Sequence, residues 1–387
     1  MNNYFLGDLL KIKNGRDHKH LEDGKIPVFG SGGLMRYVNQ SLYDDESILL
    51  PRKGSLSNIQ YTKKPFWTVD TLYYTEIDKK KVEPYYLYHY LKRLDLSNLN
   101  SGTGVPSMTF GAYYDIKIKL PDLPIQQKIA SVLSALDDKI ELNNRINAEL
   151  EAMAKTLYDY WFVQFDFPIV TSSGVEKPYK SSGGKMVYNE TLKREIPEGW
   201  EVKSLYKIAD FINGLACQKF RPENENDDYL PVIKIREMNE GKSNNTERVR
   251  VNIPEKNIIN DGDVLFAWSA SLDVKIWTEG KGALNQHIFK VVSKDYPRSF
   301  YYFELLNYLK HFKMMAELRK TTMGHITIDH LKTSYISIPP KNLIEKLDKK
   351  LNILIEKIII NQKQNQELSA LRDWLLPMLM NGQVKVE

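Results

Sequence analysis

Six short segments of this chain occur twice, in the same order, and that duplication constrains the fold more than any single motif. Leu6-Gly7-Asp8-Leu9-Leu10-Lys11-Ile12-Lys13-Asn14-Gly15 resembles Leu205-Tyr206-Lys207-Ile208-Ala209-Asp210-Phe211-Ile212-Asn213-Gly214. Ile26-Pro27-Val28 returns as Leu230-Pro231-Val232, and Ser47–Leu50 with Gly54-Ser55 returns as Asp263–Phe266 with Ala270-Ser271. Ile116–Pro121 matches Ile336–Pro340, Asp138-Lys139-Ile140 matches Glu356-Lys357-Ile358, and Glu149-Leu150 matches Glu367-Leu368. The offset grows from 199 at Leu6 to 218 at Asp138 without a change of order. The chain reads as two globular-plus-helix units in tandem.

Each unit ends in a helical seam. Apolar residues run through Ile344, Leu347, Leu351, Leu354 and Ile358, then Asn361 and Asn365, then Leu368, Leu371 and Leu375. The first copy runs through Ile129, Val132, Leu136 and Ile140, then Asn143 and Asn147, then Leu150, Met153 and Leu157. Alternating steps of three and four are the pattern of a coiled coil. A buried Asn costs stability but fixes register, so the matching asparagines predict that the two helices pair, antiparallel. A helix from Ile125 to Trp161 would be about 55 Å long. Pro124 and Pro377 read as boundary prolines.

The globular halves read as mixed α/β (α+β) with short strands at Val28-Phe29, Ser47–Leu50, Thr71–Ile77 and Ile116–Leu120. Their counterparts are Pro231–Ile235, Asp263–Phe266, Ile288–Val292 and Tyr335–Ile338. Helices are expected at Pro84–Leu94 and Pro297–Leu318. The predicted organisation is a recognition domain over 1–122, a helix over 123–165 and a linker over 166–190. A second domain over 191–341 and a second helix with its tail over 342–387 complete it.

Composition enters as exclusion. One cysteine, Cys217, rules out an internal disulfide framework, and 42% hydrophobic residues are enough for a full core. The longest uncharged run, Leu96–Tyr114, is rich in Gly, Ser, Asn and Pro, so no membrane span is expected; nor does the N-terminus read as a signal peptide. A cytoplasmic protein is expected. The net charge of +5 permits a nucleic-acid partner without requiring one.

Catalytic patterns fail on inspection. Ile338-Pro339-Pro340-Lys341 lacks the acidic or amide residue and the aromatic of an amino-methyltransferase loop. Gly241-Lys242-Ser243 has Arg236 where a phosphate loop needs its first glycine. Asp122 and Asp137 would lie about 22 Å apart along one helix and cannot share a metal. His18-Lys19-His20 has no third ligand nearby in sequence, and no metal site is predicted.

What remains suits recognition of DNA. Gly-rich loops carry small hydroxyls and cations: Ser31, Gly32 and Arg36, then Arg52, Lys53 and Ser55, then Lys63 and Lys64. The second half offers Lys219, Arg221, Lys234, Arg236, Ser269, Ser271 and Lys275, with Asn285-Gln286-His287 beside them. Glycine lets a backbone approach phosphate, Lys and Arg neutralise it, and Arg, Asn and Gln can read base edges. A protein-binding coiled-coil scaffold and a nuclease are the alternatives. Pulldown with a methyltransferase together with sequence-specific DNA retention tests the first, and incubating the protein alone with DNA and magnesium tests the second.

The sequence resembles the specificity subunits of type I DNA restriction-modification enzymes. The resemblance rests on Ile26–Gly33, Arg52–Ser55, Ile118–Ala130, Pro197-Glu198-Gly199-Trp200, Gly262–Phe266, Leu284–Ile288, Thr321–Ile326 and Ile336–Pro340. It implies two target-recognition domains separated by a pair of antiparallel helices. Each domain would read half of a split, asymmetric double-stranded DNA site. Two modification (methyltransferase) subunits would dock on the helices, for which Gln126, Gln127, Asn143, Asn147, Asn361 and Asn365 are the partner-contact or register candidates. Ile344-Glu345-Lys346-Leu347 departs from the Gln-Gln-Lys opening of the first helix. Restriction/translocase subunits would complete the assembly. S-adenosylmethionine, ATP and Mg2+ would sit on those partners, with no cofactor and no catalytic residue on this chain.

Overall fold

The computed structural model describes residues 1–96, 106–170, 174–224, 226–318, 325–384 and 386; the Thr321-Thr322-Met323-Gly324 part of one motif lies outside them. The chain forms two compact units, Met1–Ile140 with Glu367–Glu387, and Glu141–Gln366. Both long helices, Leu123–Tyr158 and Lys341–Met380, contribute a segment to each unit.

The duplication seen in the sequence is a duplication of topology. In the first unit an antiparallel sheet has the order Leu10–Lys13, Leu72–Ile77, Ser47–Pro51, Gln60–Thr62. In the second the order is Asp210–Asn213, Ile288–Val292, Val264–Ala267, Asp273–Ile276. The central strands Ser47–Pro51 and Val264–Ala267 are buried at every residue, which is why they read as continuous apolar runs and not as alternation. A second small sheet repeats as well. Asp23–Gly30 runs parallel to Trp67–Thr68, and Tyr229–Ile233 runs parallel to Gly282–Leu284. Asn2–Phe5 pairs with Lys117–Leu120, as Glu201–Ser204 pairs with Tyr335–Ile338.

The predicted helices form at Pro84–Lys92 and Arg298–Leu318. Glu83 caps the first by accepting the Tyr86 N–H, with Pro84 in its first turn, where a missing donor costs nothing.

Within each unit the helix segments run antiparallel. In the first, Ile129, Ala130 and Leu133 share a core with Leu379 and Met380, and Asp137 pairs with Arg372 at 2.6 Å. In the second, Asn143 donates to Gln364 and Asn365, both at 2.8 Å, and Asn361 donates to Asn147 at 2.8 Å. Asn365 in turn donates to Asn144 at 2.7 Å. The four expected asparagines form one ladder of side-chain amides, as a register device requires.

Three expectations fail in detail. The seam leaves its heptad phase: Met153 is 60% exposed, and Ala154 and Tyr158 are buried instead. The run Asn143, Asn147, Ala154, Tyr158 keeps an 11-residue step, the period of a nearly straight helix. On the other helix Ile355 and Ile359 are buried and Leu371 is exposed. Pro377 lies inside the second helix, not at its boundary, close enough to the end that few hydrogen bonds are lost. The stretch expected to be a linker contains an antiparallel strand pair, Pro168–Val170 with Glu176–Pro178, and a third strand, Met186–Asn189, that pairs with Arg194–Pro197 just beyond it. Phe167 stacks on Tyr179 and Trp200 there, a core that its Ser, Gly and Lys content conceals.

Candidate nucleic-acid interface

In each unit the turn following the central buried strand is locked to two neighbouring loops by the same backbone bonds. In the first unit the Arg52 N–H donates to the Thr71 carbonyl at 2.9 Å, and the Met108 N–H to the Arg52 carbonyl at 3.0 Å. In the second the Trp268 N–H donates to the His287 carbonyl at 3.3 Å, and the Ile326 N–H to the Trp268 carbonyl at 2.9 Å. Arg52 thus corresponds to Trp268, Thr71 to His287 and Met108 to Ile326. Two residues beyond Arg52 and Trp268 lie Gly54 (φ +94°) and Ala270 (φ +55°), both in the left-handed region. Glycine takes that conformation at no steric cost; Ala270 holds it despite its Cβ.

The first tip gathers Ser31, Arg52, Lys53 and Ser55 with Asp70 and Thr71. Ser31 N–H reaches the Thr71 hydroxyl at 3.5 Å, Asn58 donates to the Ser31 carbonyl at 2.6 Å, and Arg52 Nη1 donates to the Asp70 carbonyl at 3.3 Å. Gly32 is exposed, with open space around its Cα. The second tip gathers Trp268, Ser269, Ser271, Gln286 and His287. Ser269 Oγ lies 3.2 Å from His287 Nδ1, and the Trp268 ring lies 5.6 Å from His325. Ser269 is buried while Ser271 is exposed, so Ser269 positions the imidazole and Ser271 faces outward. Asp70, Thr71, Trp268 and His325 were missed from sequence. Register of the repeat, which pairs Thr71 with His287, is the signal that finds them.

Lys63, Lys64 and Lys275 lie away from the tips. Ser47 pairs with Thr62 and Leu49 with Gln60, so Lys63 and Lys64 follow the far end of the sheet from Arg52. Lys63 lies over the Tyr85 ring, 5.2 Å from its centroid. Lys275 pairs opposite Leu265, its ammonium 3.4 Å from the Met238 carbonyl, in a cavity of about 820 Å³ lined also by Glu151 and Gln362. Four cations are neutralised at home: Arg36 by Asp23 at 2.9 Å, Lys234 by Glu247, Arg236 by the buried Glu237, and Lys275 by Asp273 at 3.7 Å. Lys219 and Arg221 are exposed.

On the helices Gln126 is buried, donating to the Pro121 carbonyl at 2.8 Å and accepting the Glu83 N–H at 3.0 Å. It ties the first long helix to the start of the Pro84–Lys92 helix and has no face for a partner. Gln127, one residue on, is exposed. Cys217 is buried and its thiol pushed up by that burial, a packing residue. Among the described residues no three His, Cys, Asp or Glu side chains gather to hold a metal, and no helix is long and apolar enough to cross a membrane.

The family model for the type I restriction modification DNA specificity domain matches residues 1–152 and 197–370. The chain belongs to that family. The type I restriction enzyme MjaIX specificity subunit of Methanocaldococcus jannaschii is 28% identical over 359 residues, covering 89% of this chain and 79% of that protein. The HindI specificity subunit of Haemophilus influenzae is 28% identical over 340 residues, covering 75% and 73%. The fold matches the crystal structure of the type I restriction-modification S subunit from M. genitalium with a TM-score of 0.61 at 15% identity, over 98% of this chain and 95% of that one.

Proposed function

We propose that this chain is the non-catalytic DNA-recognition subunit of a type I restriction-modification complex and acts in the cytoplasm. It reads a bipartite, asymmetric site on double-stranded DNA, one half with each tip, and places two modification subunits over their target. Restriction/translocase subunits join that core. S-adenosylmethionine, ATP and Mg2+ belong to the partners, and the target adenine leaves the duplex to react. The single observation that carries this reading is the repeated tip, with its backbone bonds preserved while its side chains differ. Arg52, Asp70 and Thr71 occupy one tip where Trp268, Gln286 and His287 occupy the other. Identical frames with different polar groups are what two readers of two different half-sites require.

The test substitutes Gln286 and His287 together by Ala, then Arg52 and Thr71 by Ala and Val, in the complete system, and maps methylated sites. Each pair is expected to relax bases in one half of the motif only, at about 1–3 kcal/mol per lost base contact. Relaxation of both halves by one pair, or of neither, contradicts the assignment.

The spacer between half-sites has its own test. Adding one heptad after Ile140 and another after Gln366 keeps the antiparallel pairing and lengthens each helix by about 10 Å, near three base pairs of duplex. Methylation mapping should return both original half-sites with a longer gap. An unchanged gap refutes the helices as the ruler.

A further inference from the structure

The second unit carries a basic strand that neither tip uses. Arg248–Arg250 is the edge strand of its small sheet, bonded only to Tyr229–Ile233. Arg248 and Arg250 are exposed, while Val249 between them is buried with Val232, Ile253 and Ala283. The strand therefore shows two guanidinium groups on one face, about 7 Å apart along the chain. Each rests on an aromatic ring: Arg248 lies 4.2 Å from the Tyr229 centroid and Arg250 5.4 Å from that of Phe220.

The loop leading to Tyr229 offers Glu223, Asp227 and Asp228, and Asp227 is engaged by Asn224 within its own turn. Among the described residues neither arginine takes a carboxylate, in contrast to Arg36, Lys234 and Arg236. Lys219 and Arg221, on either side of Phe220, add two exposed cations. Stacking holds a guanidinium plane without neutralising its charge, which leaves its donors free for an anion.

The equivalent strand of the first unit carries no such arginine pair. That strand, Gly33–Val38, exposes Leu34, Met35 and Tyr37, and its one cation is bonded to Asp23.

We infer that Arg248 and Arg250, seated on Tyr229 and Phe220, clamp successive phosphates of one DNA strand. This rests on the DNA-recognition reading and extends it to residues outside both tips. The partner is the phosphodiester backbone, whose evenly spaced charges match two cations on one strand face.

The test uses the full complex with its modification subunits. Fluorescence anisotropy follows a duplex bearing the methylated motif and a scrambled duplex, from about 50 to about 200 mM salt. Arg248→Gln with Arg250→Gln should make the log–log salt slope shallower by about 1.8, at 0.9 per lost phosphate contact. Both duplexes should weaken by the same factor and the methylated motif should not change. Arg248→Lys with Arg250→Lys keeps the charge and should restore the slope, with affinity short of wild type. A slope equal to wild type in the Gln pair, or an altered motif, overturns the clamp. If the wild-type complex binds both duplexes alike, sequence recognition fails, while the slope comparison still decides the clamp.

Discussion

Gly214→Ala is expected to unfold the second recognition sheet, and Gly15→Ala the first. A Cβ on Gly214 would sit 2.1 Å from the Asn285 carbonyl oxygen and 2.3 Å from its carbon. A Cβ on Gly15 would sit 2.0 Å from the Val69 oxygen and 2.5 Å from its carbon. Both obstacles are backbone, so relief requires moving a strand end, not a rotamer. Those strand ends carry the tips: the Leu215 N–H bonds the Leu284 carbonyl and the Arg16 N–H the Thr68 carbonyl, each at 2.8 Å. Overpacking against backbone at this distance exceeds the usual 1–3 kcal/mol and should reach about 4 kcal/mol or more. Gly32→Ala is the control, since nothing lies within 4 Å of its added Cβ, and should stay within about 0.5 kcal/mol. Urea unfolding with limited proteolysis measures this. Gly214→Ala should expose cleavage sites within Glu141–Gln366 and spare Met1–Ile140. Wild-type stability in both glycine variants would show that the backbones do not cross as described.

Those two glycines were already paired by the sequence, as Asn14-Gly15 and Asn213-Gly214, and the reason is physical. A close backbone approach admits one residue type, so it survives as identity where the rest of the segment drifts. The central strands were legible for a related reason, since burial on both faces leaves an unbroken apolar run. The asparagine ladder was legible because polar residues in an apolar seam need partners, and each found an amide on the facing helix. Heptad phase was not legible beyond Asn147. There the helix packs Tyr158 against Phe300 and Phe303, and the lobe, not the partner helix, decides which face is buried. Charge was the least legible property. Lys234, Arg236 and Lys219 look alike in sequence, and only the fold shows that Glu247 and Glu237 take the first two. Arg248 and Arg250 escaped notice because cation–aromatic seats join segments about 20 residues or more apart.

Glu304→Gln is expected to stabilise the second unit at pH 8 and to change little at pH 4. Glu304 is buried where the first long helix ends against the Arg298–Leu318 helix, and accepts the Tyr158 hydroxyl at 2.6 Å. Burial pushes its carboxyl up to about 7, with Asp159 adding to the rise; the Tyr158 bond, Arg194 and Lys155 oppose it. A carboxyl with a folded pKa near 7 and an unfolded value of 4.5 binds its proton more tightly when folded. Its contribution is therefore complete below about pH 4.5 and is lost as pH rises through 7. The difference of about 2.5 units corresponds to about 3 kcal/mol. The amide still accepts from Tyr158 and does not ionise, so that loss should vanish in the variant. His89, in the other unit, works in the opposite sense. Burial lowers it to about 4, so its contribution is lost as pH falls from about 6.5 through 4. Subtracting the Glu304→Gln unfolding curve from wild type at each pH cancels His89 and isolates the carboxyl. Tyr158→Phe sharpens the test, because removing the donor should steepen the loss above pH 7. Curves that run parallel from pH 4 to 8 would mean that the Glu304 carboxylate is solvated, and the packing of the first long helix against the lobe would have to be redrawn.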